Sequence, residues 1–190
     1  MSGGHGGHGG LEGSNKNVAL LISILALFLA FSETMGKSAQ TSALGHNIDA
    51  SNLWAFFQAK TVRMTVVRTA AENAELQRPK DESPAGEAIK KRIDGWIATA
   101  ARWDSEPETG EGRKELAARA KQAEEQAKTS LAKYHHYEVA SAAFQIAIVL
   151  ASAMLITGVA ALAWIAGGLG VAGLVMIGIG LFAPHAVHLF

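Results

Sequence analysis

The chain has no cysteine. That excludes a disulfide framework, a Cys-ligated zinc site, an iron–sulfur cluster and a thiol nucleophile. It has no surplus of either charge: 17 Lys and Arg stand against 17 Asp and Glu in 190 residues. Nucleic acid is therefore not expected as a partner, because duplex binding needs a basic excess to neutralise phosphates. The short signatures of common enzymes are also missing, with no G-x-x-x-x-G-K-[ST], G-x-S-x-G or H-E-x-x-H in the chain. GGLGVAG, Gly167–Gly173, superficially resembles a nucleotide loop but lies inside an apolar run. Neither an enzyme nor a bound cofactor is expected.

The most informative absence is of charge. From Val139 to Pro184 there is no Asp, Glu, Lys or Arg. A helix crosses the ~30 Å hydrocarbon core with about 20 apolar residues, so this run is too long for one span. Thr157-Gly158 divides it, which predicts two transmembrane helices over 139–156 and 159–182 joined by a very short hairpin. An earlier apolar run, Val18–Phe31, is bounded by Lys16 and Glu33. A secretory signal core has this length, but the residues after it form no tidy small-x-small site beside the core, and the preceding residues are Gly/His-rich rather than basic. It is read as a retained first transmembrane helix over 17–36, after a disordered Gly/His-rich tail over 1–16. A C-terminal tail over 183–190 closes the chain.

Sixteen of the seventeen Lys and Arg fall between the first and second spans, and Lys16 alone lies outside. The positive-inside rule then places residues 37–138 and the C-terminus in the cytoplasm and the N-terminus in the periplasm. Residues 37–138 are polar, Ala-rich and helical in character. Leu53, Phe57, Lys60, Met64, Val67, Ala71 and Ala74 recur at spacings of four and three, with only Lys60 breaking the apolar stripe. Leu116, Ala120, Ala123, Ala127, Ser130, Tyr134 and Tyr137 keep the same rhythm. Such spacing lets helices pack along a seam. Between the stripes, Glu87–Arg102 reads as a shorter amphipathic helix with Ile89, Ile93, Trp96, Ile97 and Ala100 on one face. Pro79 and Pro84 interrupt the chain before it, and DSEPETGEG (Asp104–Gly112) forms a solvated loop after it. The expected fold is all-α: three transmembrane helices and an extramembrane antiparallel, coiled-coil-like hairpin.

The arrangement resembles a family of small bacterial membrane proteins known as a domain of unknown function, DUF4337. The resemblance is carried most specifically by SNLWAFFQAKTVR at Ser51–Arg63 and by Phe144–Ser152. The His-containing tail, the first span, the charged stretch Arg113–Lys133, the run Ala142–Gly158 and the Gly-rich closing span add to it. It implies a bacterial inner-membrane protein and brings no activity, substrate or catalytic residue.

Candidate binding groups are few. His5 and His8 lie on a Gly-rich tail without carboxylates, a poor metal site. Adjacent helical residues point about 100° apart, so His135 and His136 do not readily share a metal and read as interfacial anchors beside Tyr134 and Tyr137. His185 and His188 stand three apart near the C-terminus. The polar residues of the spans are Glu33, near the end of the first, and Gln145, about two turns into the second; Gln145 reads as an interhelical hydrogen-bonding group. Gly167, Gly170, Gly173 and Gly180 lay a smooth strip along the third span for close helix contact, either within the chain or between subunits. The expected function is a non-enzymatic structural or scaffolding protein in the lipid bilayer. Leu53, Phe57, Met64, Val67 and the glycine strip would carry assembly as a homo-oligomer or with a partner. The alternative is an accessory or pore-forming subunit of a larger membrane transport or respiratory complex, using Glu33 or Gln145.

Overall fold

The computed structural model describes residues 9–79 and 83–187, with side chains from Lys16 onward. The described residues form four helices and no strand: α1 (Gly9–Gln77), α2 (Pro84–Asp104), α3 (Arg113–Thr157) and α4 (Ala160–Phe182). They divide into two compact units, one made of the chain up to Ala43 and from Lys128 onward, the other Leu44–Ala127. The expected membrane helix over 17–36 has no end of its own. α1 continues without a break to Gln77, because neither Gly36 nor Gly45 departs from helical geometry.

In the first unit, α1 and α3 run antiparallel. Phe28 lies against Phe144, with ring centroids 6.0 Å apart, while Ser32 meets Tyr137. The hydroxyl of Ser32 is completely buried and donates to the Tyr137 carbonyl at 2.8 Å, a polar tie between helices. Ala140, Ala147 and Ala151 are fully buried and small enough to let neighbouring helices approach. α3 ends at Thr157, Gly158 turns the chain at φ +73°, and α4 returns along α3. That left-handed conformation is costly for any residue with a Cβ, so a glycine at this place makes the short reversal possible. The outer surface of the unit is apolar: Leu20, Leu27, Val149, Trp164, Val171 and Phe182 are all exposed. α1, α3 and α4 are each long and apolar enough to cross a membrane, and their apolar windows are mostly uncovered by protein.

In the second unit the residues spaced by four and three are the ones turned inward. On α1, Met64 and Ala71 are buried and Leu53, Phe57, Val67 and Ala74 are half-buried. On α3, Leu116, Ala120, Ala123 and Ala127 are buried. The indole N–H of Trp54 donates to Glu124 at 2.7 Å, and the Arg113 guanidinium lies 5.6 Å from the Phe57 ring centroid. Lys60, the one charge on the inward stripe, places its ammonium 3.9 Å from a Glu106 carboxylate oxygen. Ser83 caps α2 by accepting from the Gly86 amide, and Pro84, whose missing N–H costs nothing there, opens the helix. Ile93 and Ala100 are buried as the amphipathic pattern requires, but Ile97 is 55% exposed. The packed row of α2 runs through Gly86, Ile89, Ile93, Trp96 and Ala100, which leaves Ile97 at the rim of a groove beside Ala71 and Leu76.

A polar knot joins α2 to α3. Asp104 receives Arg113 at 2.9 Å and Lys114 at 3.1 Å, and Glu115 accepts from the Ser105 hydroxyl at 2.7 Å and the Glu106 amide at 3.1 Å. Asp104 is held below its ordinary 3.8, chiefly by the Lys114 hydrogen bond against an opposing effect of burial. Glu115 is held below 4.5, first by the Ser105 hydroxyl and then by the Glu106 amide. A carboxylate whose folded pKa is lowered stabilises the fold fully above its unfolded value, and this is lost as pH falls through the folded value. Acidification below about pH 4 is therefore expected to loosen this joint, seen as faster amide exchange over 105–112. Exchange there that stays constant down to about pH 2 would show that the knot adds nothing.

Candidate functional site

The residues singled out by the sequence fall into three places. Leu53, Phe57, Met64 and Val67 form the inward stripe of α1 in the second unit, where the chain's own helices cover them; Met64 is only 3% exposed.

The glycines of α4 divide. A Cβ at Gly170 would stand 2.7 Å from Leu25 Cδ2, one at Gly173 would stand 2.7 Å from Phe144 Cζ, and one at Gly180 would stand 2.9 Å from Tyr137 Cε1. Real Cβ atoms do not approach so closely, so these three positions admit α3 and α1 to near-backbone contact. Gly167 meets nothing within 4 Å among the described residues. The packed strip is Ala166, Gly170, Gly173, Ile177 and Gly180, again at spacings of four and three.

The polar residues of the apolar helix segments meet each other. The Gln145 amide donates to a Glu33 carboxylate oxygen at 3.4 Å, bringing together residues 112 apart in sequence. Both are exposed, and the groove beside them, about 310 Å³ in volume, is lined by Ser32, Glu33, Lys37, Gln40, Tyr134 and Glu138 among others. Lys16 and Lys37 are 21 residues apart on α1, a rise of about 32 Å. The stretch between them is long enough to cross a hydrocarbon core of ~30 Å, and Glu33 lies near its C-terminal end.

The histidines have separate roles. His136 is 1% exposed, and its Nε2 lies 3.1 Å from the Pro184 carbonyl, so that nitrogen carries the proton and donates. His185 Nε2 lies 3.1 Å from the Thr129 hydroxyl. Together they tie the segment after α4 to α3. His135 Nδ1 is 3.7 Å from Glu138 one turn on. No cluster of three metal-ligating side chains occurs among the described residues. His5, His8 and His188 lie outside the described residues. Sequence reasoning missed Ser32 and the Phe28–Phe144 stack. A hydroxyl seven residues after Leu25, on the same helix face, was the available signal for the first.

What the arrangement can do chemically is hold helices together. The close approaches, the Ser32 tie and the Glu33–Gln145 pair all join different helices. No curated protein and no solved structure matches the chain. Residues 14–183 match DUF4337, a domain of unknown function, and the chain belongs to that family.

Proposed function

We propose that the protein is a non-enzymatic scaffold of a bacterial inner membrane, in which α1, α3 and α4 cross the bilayer and residues 37–138 form a cytoplasmic helical hairpin for assembly. The observation that carries this reading is the continuity of α1. One helix leads from an apolar span into a polar, amphipathic half, and the part beyond Lys37 extends for about 60 Å. A polar, amphipathic half of this kind suits an assembly platform. The exposed apolar surfaces of α1, α3 and α4 support the membrane placement, since patches this extensive are not left to water. The concentration of Lys and Arg in residues 37–138 supports the orientation.

The test is the native mass of the complex released gently from membranes, with every co-purifying chain identified. A repeated single chain, or this chain with a partner at fixed ratio, is the expected result. A lone monomer would overturn the scaffold reading. The exposed Glu33–Gln145 pair and its polar groove favour one second reading, a subunit that lines a path when assembled. Ion flux in liposomes that disappears in Glu33→Gln or Gln145→Leu would establish it in place of the first.

A further inference from the structure

α1 carries a second apolar stripe, on the side away from the one the chain packs upon itself. Ile48, Ala55, Ala59, Val62, Val66 and Leu76 lie at heptad-related positions roughly opposite Leu53, Phe57, Met64 and Val67, in rows that the uncharged polar residues Asn52, Thr69 and Asn73 interrupt. Ile48, Val62, Val66 and Leu76 are 62%, 63%, 61% and 85% exposed. The outward face of a solvated helix is normally its most charged one. Here none of the six charged residues between Leu44 and Leu76 stands on the stripe, although Asp49, Arg63 and Glu72 flank it. α3 shows the ordinary pattern in the same unit, with Lys121 and Glu125 outward. The bare face of α1 is thus a property of this helix, not of the Ala-rich composition around it.

We infer that this outer face of α1 is an interface between two copies of the chain, packed parallel and in register. The inference rests on the reading of the protein as a membrane scaffold and names the surface that assembles it. Copies inserted in one bilayer with one orientation present parallel α1 helices at equal depth, so the stripe meets itself, Val62 facing Val62. The positions that border it are Asp49, Phe56, Arg63 and Ala70 on one side and Ser51, Gln58, Thr65 and Glu72 on the other, so a parallel pairing brings no row of like charges together. Area makes this a weak contact by itself, one that copies already held in one bilayer can form. From Ile48 to Leu76 the contact is about 42 Å long and about 10 Å wide, or about 800 Å² counted over both chains, which is half of a standard stable interface. Sharing a membrane further raises the effective concentration of one copy for another.

The absence of cysteine makes the test direct. Single-cysteine variants of the full chain, Val62→Cys, Val66→Cys and, on the charged side, Glu125→Cys, are oxidised in native membranes. A predominant disulfide-linked dimer at Val62 and Val66 with only a trace at Glu125 is the expected result. Equal yields at all three positions, no dimer at any, or a crosslink from Val62 to a different protein would each overturn the inference. Native mass measured on the same membranes separates the two claims. An oligomer without crosslinks at Val62 and Val66 overturns this face and leaves the scaffold reading standing, whereas a monomer overturns both. The double variant Val62→Asp/Val66→Asp is expected to lose the dimer with unchanged helical content, since neither side chain packs inside the chain.

Discussion

Met64→Asp is expected to unfold the Leu44–Ala127 unit. The Met64 side chain is almost wholly buried on the inward stripe of α1. Losing it costs about 2–5 kcal/mol, the range for truncating a buried Met. Placing a carboxylate there adds several kcal/mol more, unless the group takes up a proton or the helices part. Set against the 5–15 kcal/mol that typically holds a domain, the sum removes most or all of the stability. The readout is protease sensitivity over Leu44–Ala127 together with lost helical signal. Val62→Asp, two residues earlier but 63% exposed, is expected to change stability by about 0.5 kcal/mol or less. If both variants resist protease equally, the inward stripe is not the core of this unit. The comparison also separates folding from assembly: complexes lost in Met64→Asp report a failed fold, whereas complexes lost in Val62→Asp report an interface.

Gly173→Leu is expected to push α4 away from α3. Even its first carbon would stand 2.7–3.1 Å from three atoms of the Phe144 ring. The ring has no free space to swing into, because it is completely buried and stacked on Phe28. Overpacking of a filled core costs about 1–3 kcal/mol, and a whole Leu at this contact belongs at the upper end. Gly167→Leu, where a Cβ meets nothing within 4 Å among the described residues, is expected to be tolerated or to stabilise, since leaving glycine gains up to about 1 kcal/mol of helix propensity. Thermal unfolding in detergent distinguishes the two. Combining Gly173→Leu with Phe144→Ala is expected to recover part of the loss, because the second change removes the ring the first collides with. No recovery would mean that α4 is held elsewhere than at this contact.

Much of the architecture is written in short-range pattern. Apolar runs of spanning length, the spacing of four and three along Leu53–Ala74 and Leu116–Ala127, and the Thr157-Gly158 break each depend on neighbouring residues alone. The helical period of 3.6 converts them directly into faces and ends. The placement of the candidate residues is a different matter. Gly167 and Gly170 look alike in sequence, yet only Gly170 meets a neighbour, because α1 happens to bring Leu25 there. Lys60 looks like a flaw in its stripe until Glu106, 46 residues on, is seen beside it. Ile97 fits the amphipathic pattern of α2 as well as Trp96 does, and packing chose the row through Trp96.

The sequence by itself determined that the protein is all-α, that three of its segments are apolar enough to cross a bilayer, and that it resembles DUF4337. Periodicity and composition suffice for these, since they are properties of single segments. Tertiary structure alone decided that α1 runs unbroken from Gly9 to Gln77, that Glu33 meets Gln145 and Ser32 meets Tyr137, and which apolar stripe of α1 the chain keeps for itself. A helix with two apolar faces carries no local mark of which one its own fold will cover. That depends on where the other helices return, and their return is set by contacts between residues far apart in the chain.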